Sequence, residues 1–154
     1  MHKLRVYIDT SVIGGCLDTE FAKDSKALFS LFIRGEMIPI VSEVVLQELE
    51  DAPNEVRKVL EGLTEHTVEV LRETNEVARL AKLYISSGAV PDHSYRDALH
   101  IAVATINHLD VLVSWNFKHI VNIKRIHAYN SVNIKEGYSM LDIRSPKEVL
   151  DEGV

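Results

Sequence analysis

The sequence has little of several features that would each point to a particular class of protein. Cys16 is the single cysteine among 154 residues, so no disulfide can form within the chain, and a reducing, cytoplasmic location is the simple expectation. Cys16 also lacks the partners of a zinc site, and we interpret it as a small core or loop residue. No segment approaches the roughly 18 consecutive apolar residues of a membrane span, and the N-terminal residues lack a signal-peptide pattern.

Positive charge is also scarce, because the formal net charge is −6. This balance disfavours broad, nonspecific binding to nucleic acid, which depends on Lys and Arg neutralising phosphates. Between residues 111 and 135, however, there is no Asp or Glu, and this stretch contains the cations Lys118, Lys124, Arg125 and Lys135. Such a stretch would let an anionic substrate approach one face of the protein. The alternative is a solvated loop of accidental composition.

What the sequence does contain is typical of one globular domain. Its residues are 46% hydrophobic and 26% charged, and a chain of this length can bury a continuous core. We therefore expect a single domain over residues 1–154, with a more weakly patterned C-terminal part from about residue 128.

Short β-rich runs alternate with helical patterns along the chain. The predicted strands are 4–8, 37–41, 67–71 and 111–114, and the predicted helices are 20–34, 43–51, a short segment from Pro53 to residue 62, 74–87 and 94–108. This alternation favours an α/β fold with helices on both faces of a mostly parallel sheet. Pro39 predicts that the second strand lies at a sheet edge. Residues 138–143 are a further candidate edge strand, and Ser145-Pro146 is typical of a helix start.

Three acids stand where strands and helices would meet one edge of that sheet. Asp9 directly follows the first strand, Glu48 lies in the helix after the second strand, and Asp97 lies in the first turn of the most apolar helix. Ligand sites of open parallel sheets lie just past the carboxyl ends of the strands. Several carboxylates gathered there need a counter-cation, and oxygen ligands suit Mg²⁺ or Mn²⁺ best.

Each acid also has a purely structural interpretation. Asp9 could close an Asx turn after its strand, and Glu48 could belong to a solvated helix surface. Asp97 could form a capping box with Ser94, three residues earlier. We interpret His100 as hydrogen-bonded within its own helix, because its spacing from the other histidines matches no zinc signature.

The residues after the late strand should face the same site as Asp9. There, Ser114 offers a hydroxyl group and Asn116 an amide oxygen, which can bind a metal without adding charge. The alternative for Asn116 is a turn residue.

Four segments together resemble the PIN domain family, specifically the VapC-type toxins. They are Tyr7-Ile8-Asp9-Thr10-Ser11-Val12, Ser42-Glu43-Val44-Val45-Leu46-Gln47-Glu48-Leu49, Asp97-Ala98-Leu99-His100-Ile101-Ala102-Val103-Ala104 and Leu112-Val113-Ser114-Trp115-Asn116-Phe117-Lys118-His119-Ile120. Each segment is short, but the ordered set spans nearly the whole chain. The resemblance implies a PIN-like (Rossmann-like) three-layer sandwich and a Mg²⁺- or Mn²⁺-dependent endoribonuclease. It also implies a homodimer that a cognate antitoxin protein silences.

The resemblance also implies roles for individual residues. Asp9, Glu48 and Asp97 match the family's acidic metal ligands, which are catalytic, and Thr10 and Ser114 match small hydroxyl residues that support the site.

The fourth catalytic position departs from the pattern, because Asn116 stands where many family members have another acid. In the expected reaction, a metal-bound water attacks an RNA phosphodiester. Lys118, Lys124 and Arg125 would bind the flanking phosphates of the RNA.

Other functions fit parts of this pattern. A phosphatase of the haloacid-dehalogenase type also has an Asp after its first strand, but it needs a second Asp where this chain has Ser11. A receiver-like signalling domain needs paired acids that are not evident here. The stronger alternative is a PIN-like module that binds RNA or a partner protein without cleaving, which the Asn116 substitution would favour.

Overall fold

The structure is a parallel β-sheet flanked by helices. This computed structural model describes residues 2–64 and 68–152. Within them the strands are β1 (Arg5–Ile8), β2 (Ile38–Ser42), β3 (Glu69–Leu71), β4 (Val111–Val113) and β5 (Ile143–Arg144). They form one five-stranded sheet in the order β3-β2-β1-β4-β5, and all neighbouring pairs are parallel. The predicted α/β fold with a mostly parallel sheet is therefore confirmed.

Helices fill the connections between the strands, as parallel pairing requires. They are α1 (Thr10–Gly15), α2 (Ala22–Ile33), α3 (Glu43–Glu50), α4 (Asn54–Thr64), α5 (Asn75–Ser86), α6 (Tyr95–Ile106), α7 (Ile123–Lys135) and α8 (Pro146–Asp151). A short 3₁₀ turn at Asp92–Ser94 precedes α6. None of the helices in the described part of the chain is long and apolar enough to cross a membrane.

The core of the molecule lies around β1, the middle strand of the sheet. Val6, Tyr7 and Ile8 of this strand have no exposed surface, which explains the uninterrupted apolar run from which the strand was predicted. Because all strands run in the same direction, their carboxyl ends lie along one edge of the sheet. The residues that follow β1, β2 and β4 are therefore brought close together.

Most predicted elements are found close to their predicted positions. The helices predicted at 20–34, 43–51, 74–87 and 94–108 correspond to α2, α3, α5 and α6. Ser42 caps α3 by accepting a hydrogen bond from the backbone N of Val44, and Ser145 begins α8 in a capping box with Glu148. The strand predicted at 67–71 is observed only over Glu69–Leu71, and Thr67 lies outside the described residues.

The prediction that Pro39 marks a sheet edge is wrong, since β2 lies between β1 and β3. The backbone N of Ile38 donates to the carbonyl oxygen of Leu4, so the next residue, Pro39, turns its nitrogen towards the β3 side. Pairing with β3 begins only at Ile40, opposite Glu69. The proline nitrogen therefore faces a position before the first paired residue of β3, so no hydrogen bond between the two strands is lost.

Two helices were not predicted from the sequence. Asp9 caps α1, a helix of six residues that contains two glycines. In α7 the buried face includes Asn130 and Asn133, which interrupt the apolar stripe that would indicate a helix. The predicted edge strand at 138–143 is also wrong in extent, because β5 begins only at Ile143.

The Cys16 thiol is buried, as its interpretation as a small core residue predicts. Burial raises the pKa of this thiol to about 11 from an ordinary value of 9.0, against a smaller opposing effect of Lys26. Only about one thiol in a thousand is then ionised at pH 8.

We expect iodoacetamide to modify native Cys16 at pH 8 at least roughly tenfold more slowly than it modifies the urea-unfolded chain. Mass spectrometry of timed samples measures both rates. Equal rates would show that the thiol is open to solvent and that its surroundings are wrongly described.

Candidate functional site

The candidate site lies at the carboxyl edge of the sheet, next to the central strand. Asp9 directly follows β1, and Ser114 directly follows β4. Glu48 comes from α3, while Asp97 and His100 come from the first two turns of α6. Residues far apart in the chain therefore meet at this edge, as the sequence predicts for the three acids.

Asp9 is buried and held by hydroxyl groups on both of its carboxylate oxygens. Ser11 Oγ donates to Oδ1 at 2.6 Å, and Ser114 Oγ donates to Oδ2 at 2.6 Å. The backbone N of Val12 also donates to Oδ1, so Asp9 caps α1. The interpretation of Asp9 as a structural cap is therefore correct, and Ser114, which was predicted to support the site, contacts the Asp9 carboxylate.

Trp115 fixes the turn after β4 against the start of the chain. Its backbone N donates to Ser11 Oγ at 2.8 Å, and its indole Nε1 donates to Ser25 Oγ at 2.9 Å. Phe21 stacks on the indole ring, with ring centroids 4.3 Å apart. Gly15 is required beneath it, because a Cβ atom there would lie 2.8 Å from the indole Nε1. The hydrogen bonds and ring packing of Trp115 therefore also fix the position of the preceding residue, Ser114.

Glu48 is held by two hydrogen bonds to one oxygen and is not on a solvated helix surface. Thr10 Oγ1 donates to Oε1 at 2.6 Å, and His100 Nε2 lies 2.8 Å from the same atom. The supporting role expected of Thr10 is therefore to orient Glu48. The structure contradicts the surface interpretation, because the Glu48 side chain is only 24% exposed.

His100 is the buried centre of a hydrogen-bonded chain that joins the four elements β2, β1, α6 and α3. Its Nδ1 lies 2.6 Å from the hydroxyl of Tyr7 in β1, which in turn lies 2.8 Å from Ser42 Oγ. The interpretation of His100 as bonded within its own helix is wrong, because both ring nitrogens bind residues of other elements. His100 thereby links the middle of the sheet to Glu48.

Opposite charges stabilise the pair of His100 and Glu48. Burial alone would raise the pKa of Glu48, but the hydrogen bond and charge of His100 hold it below its ordinary value. Burial alone would lower the pKa of His100, but Glu48 raises it above its ordinary value. Each residue of the pair therefore favours the charged form of the other.

Asp97 lies beside Asn116 and is not part of a capping box. Ser94 occupies the cap position of α6 without a side-chain hydrogen bond to the helix, so that structural interpretation is wrong. Asn116 Nδ2 donates to Asp97 Oδ1 at 3.3 Å. The amide oxygen of Asn116 accepts from the backbone N of His119 at 3.0 Å. Asn116 thus lies at the site as predicted, but it presents a donor to the acids and uses its oxygen to shape a turn.

The remaining negative charge of the site is poorly compensated. Burial raises the pKa of Asp9, and the opposing effects of His100, Ser11 and Ser114 are smaller. Burial also raises the pKa of Asp97, against smaller opposing effects of His100 and His119, and the charges of Asp9 and Glu48 add to the increase. Both carboxylates would be stabilised in their ionised form by an added cation.

These acids do not form a ready-made cage for a metal ion. Within residues 2–64 and 68–152, no three His, Cys, Asp or Glu side chains are grouped closely enough to hold one. The donors nevertheless include the carboxylates of Asp9, Glu48 and Asp97, which are hard oxygen ligands. Because Mg²⁺ is usually bound by one or two carboxylates and keeps several waters, such a set suits it.

The three cations that were predicted to bind RNA lie together. Lys118, Lys124 and Arg125 line one open cleft between the start of α7 and the turn that follows α5. Arg125 is anchored there, since its Nη1 donates to the carbonyl oxygen of Ala89 at 3.1 Å. The predicted basic stretch is therefore a local surface, partly ordered by hydrogen bonds.

Tyr7 and His100 were not assigned to this site from the sequence, although simple signals mark both. Tyr7 stands two residues before Asp9, and residues two apart along an extended strand place their side chains on the same face of the sheet. His100 stands three residues after Asp97, which places both on one side of α6. A search for polar residues at these spacings from the acids would have found them.

The fold is that of known toxins, although the chain's sequence is far from theirs. No protein-family model and no curated protein sequence matches the chain. VapC20 from Mycobacterium tuberculosis, a Sarcin-Ricin loop cleaving toxin, has a TM-score of 0.58 and 15% identity, covering 74% of this chain and 92% of that one. VapBC2 from Rickettsia felis, bound to a DNA fragment from their promoter, has a TM-score of 0.60 and 14% identity, covering 92% and 98%. FitAcB from Neisseria gonorrhoeae has a TM-score of 0.57 and 16% identity, covering 92% and 98%.

These similarities define the class of fold. The five-stranded parallel sheet with flanking helices is the PIN-like fold of the VapC toxins, as the resemblance implied. At 14% to 16% identity, the likeness concerns the fold alone.

Proposed function

We propose that this chain is a metal-dependent endoribonuclease of the PIN/VapC type that hydrolyses RNA phosphodiester bonds. The observation that supports it most is the convergence of Asp9, Glu48 and Asp97, from three separate elements, at one edge of the sheet. Asp9 caps α1 and Glu48 pairs with His100, but the charges of Asp9 and Asp97 are partly buried without a paired cation, which is costly unless a cation binds.

Mg²⁺ or Mn²⁺ is the cofactor that this donor set fits. Asp9 and Asp97 would hold it directly, and Glu48, whose Oε1 is already used by Thr10 and His100, would act directly or through a bound water. When bound, the ion would lower the pKa of a water molecule and stabilise the charge that develops on the phosphate and the leaving oxygen.

The protein's own residues would orient these groups. Ser11 and Ser114 fix both oxygens of Asp9, so its carboxylate has one orientation. Asn116 holds Asp97 in place through its amide nitrogen. Lys118, Lys124 and Arg125 would bind phosphates that flank the scissile bond, which positions the RNA without reading its sequence.

The biological role that fits this chemistry is the toxin of a toxin–antitoxin pair. VapBC2 is a complex that was crystallised with promoter DNA, and by analogy a cognate antitoxin protein would cover the acidic site of this chain. A homodimer and a cytoplasmic location belong to the same proposal.

The direct test combines metal binding with RNA cleavage. We expect isothermal titration calorimetry to detect Mn²⁺ binding by the purified chain. We also expect unpaired RNA to be cleaved in Mn²⁺ or Mg²⁺ and to stay intact when EDTA removes the metal, as followed on denaturing gels. Cleavage that continues in EDTA would contradict the proposed metal chemistry.

Asn116 favours one alternative, a PIN-like module that binds RNA or a partner protein without cutting. In place of a fourth acid, it donates to Asp97 and so takes up part of that carboxylate's capacity to bind a cation. RNA binding without cleavage, at saturating Mn²⁺, would support this alternative over the nuclease.

A further inference from the structure

Two aromatic imidazole rings form the wall of a cleft directly beside the acids. His93 and His119 contact each other edge to face, with ring centroids 5.9 Å apart and an interplanar angle of 78°. The cleft is open, has a volume of about 560 Å³, and is lined by His93, Ser94, Tyr95, Arg96, Asp97 and His119. Because Asp97 belongs to both, the cleft adjoins the proposed cleavage site.

The position of His119 is fixed by its backbone. Its N donates to Asn116 Oδ1 at 3.0 Å, and its carbonyl oxygen accepts from the Tyr129 hydroxyl at 2.8 Å. The ring nitrogen Nδ1 is buried and has no hydrogen-bond partner. A buried polar atom without a partner is costly, and the His119 ring lines the cleft without offering this nitrogen to a ligand. His93, in contrast, is exposed.

The cleft of the two histidines and the cleft of the three cations share no lining residue, but they are neighbours, since the charges of Lys118 and Arg125 both act on the His119 ring. His119 follows Lys118 directly, and Lys118 lines the cation cleft together with Lys124 and Arg125. Asp97, the two imidazole rings and the cations of the second cleft are therefore neighbours on this surface, and Arg96 adds a further cation to the first cleft. In an RNA strand, the phosphate at the cleavage site is followed by a nucleoside and then by the next phosphate.

We propose that the cleft of His93 and His119 binds the base of an unpaired nucleotide that adjoins the scissile phosphate, and that the cation cleft binds the phosphate beyond it. This proposal rests on the proposed ribonuclease function. Aromatic rings bind unpaired bases by stacking, and imidazole nitrogens can form hydrogen bonds to base edges. A base inside an RNA duplex is already stacked and paired, so the substrate class is single-stranded RNA or a loop.

The test measures RNA affinity without cleavage, using a fluorescein-labelled single-stranded oligoribonucleotide in EDTA and fluorescence anisotropy. His93→Ala is the informative variant, because this side chain is exposed and its removal leaves the core intact. We expect the Kd to rise roughly five- to hundredfold, the range for one lost base stack. His93→Phe keeps an aromatic face and should restore most of the affinity.

A control variant and a modified RNA show whether the increase in Kd comes from contact between His93 and one base. His108→Asn removes an exposed histidine near the opposite end of α6, at a positive φ of 53° that asparagine tolerates, and its Kd should equal that of the unchanged chain. One abasic position in the RNA should weaken binding by the same factor as His93→Ala. Combining the two should then cause no further loss.

The outcomes separate the proposed base subsite from the proposed ribonuclease function. Suppose that the chain binds and cleaves RNA, but that His93→Ala leaves the Kd unchanged. The base subsite is then wrong and the nuclease stands. The same conclusion follows if the increase in Kd caused by His93→Ala multiplies with the increase caused by every abasic position. If the unchanged chain neither binds nor cleaves RNA, both proposals are overturned.

Discussion

Asp97→Asn is expected to lower Mn²⁺-dependent RNA cleavage at least about a hundredfold. A cation at such a site contributes several kcal/mol of transition-state stabilisation, and each 1.4 kcal/mol or so corresponds to a factor of ten in rate. Asparagine keeps an oxygen that can accept the hydrogen bond from Asn116 Nδ2. It removes the negative charge that would hold the cation. Initial cleavage rates on denaturing gels, with saturating Mn²⁺, measure the loss.

This substitution should leave the fold intact or make it slightly more stable. Because burial and the neighbouring acids raise the pKa of Asp97, its ionised form is disfavoured in the folded chain when no cation is bound, and a neutral amide avoids that penalty. Asp92→Asn makes the same chemical change at an exposed acid just before α6 and should cleave at the normal rate. Undiminished cleavage by purified Asp97→Asn would refute the site.

His100→Leu is expected to lower the free energy of unfolding by roughly 2–4 kcal/mol. The leucine side chain has a similar size but offers no hydrogen bond, so the hydroxyl of Tyr7 and Oε1 of Glu48 each lose a partner. Removing one member of a buried ion pair leaves an uncompensated charge, which is among the costliest single changes. The expected loss lies below the upper end for such pairs, because the Glu48 side chain is 24% exposed and partly solvated. Urea unfolding followed by circular dichroism measures it.

The pH dependence of this loss has a definite sign. The pKa of His100 is raised, so its contribution is complete below its ordinary value of 6.5 and is lost as the pH rises through its higher folded value. The pKa of Glu48 is lowered, so its contribution is complete above 4.5 and is lost as the pH falls through its lower folded value. The difference between the native chain and His100→Leu should therefore be largest between pH 4.5 and 6.5.

A conservative variant separates the lost ion pair from a general effect of substitution. His100→Gln keeps an N–H donor that can reach Glu48, and it should recover a substantial part of the lost stability. Identical urea midpoints for His100→Leu and the native chain would show that the chain from Tyr7 to Glu48 contributes nothing to stability.

The sequence predicted those parts of the fold in which local and tertiary preferences agree. The buried strand at Arg5–Ile8 and the helix capped by Ser42 were identified because the apolar pattern and the capping residue both match the observed structure. The helix at Ile123–Lys135 was missed because its buried face relies on Asn130 and Asn133. These amides bind Leu141 and Thr105, and such long-range hydrogen bonds leave no periodic signal.

The site shows the same division. The positions of Asp9, Glu48 and Asp97 follow from topology alone, because parallel strands bring their carboxyl ends to one edge. The pairing of His100 with Tyr7 and Glu48 depends on how α6 rotates against β1 and α3, which a single sequence does not specify. The placement of Pro39 in an interior strand likewise depends on where β3 begins to pair.

The two hydrogen bonds of the Asn116 side chain also determine what an aspartate would change at this position. Asn116→Asp would add a fourth acid to the site, but it would remove the donor to Asp97 and set two like charges side by side. The carboxylate could still accept from the His119 nitrogen, so the turn would survive while the neighbouring acid lost its anchor. An aspartate at position 116 would therefore need a bound cation or a new donor beside Asp97 to offset the repulsion between the two carboxylates.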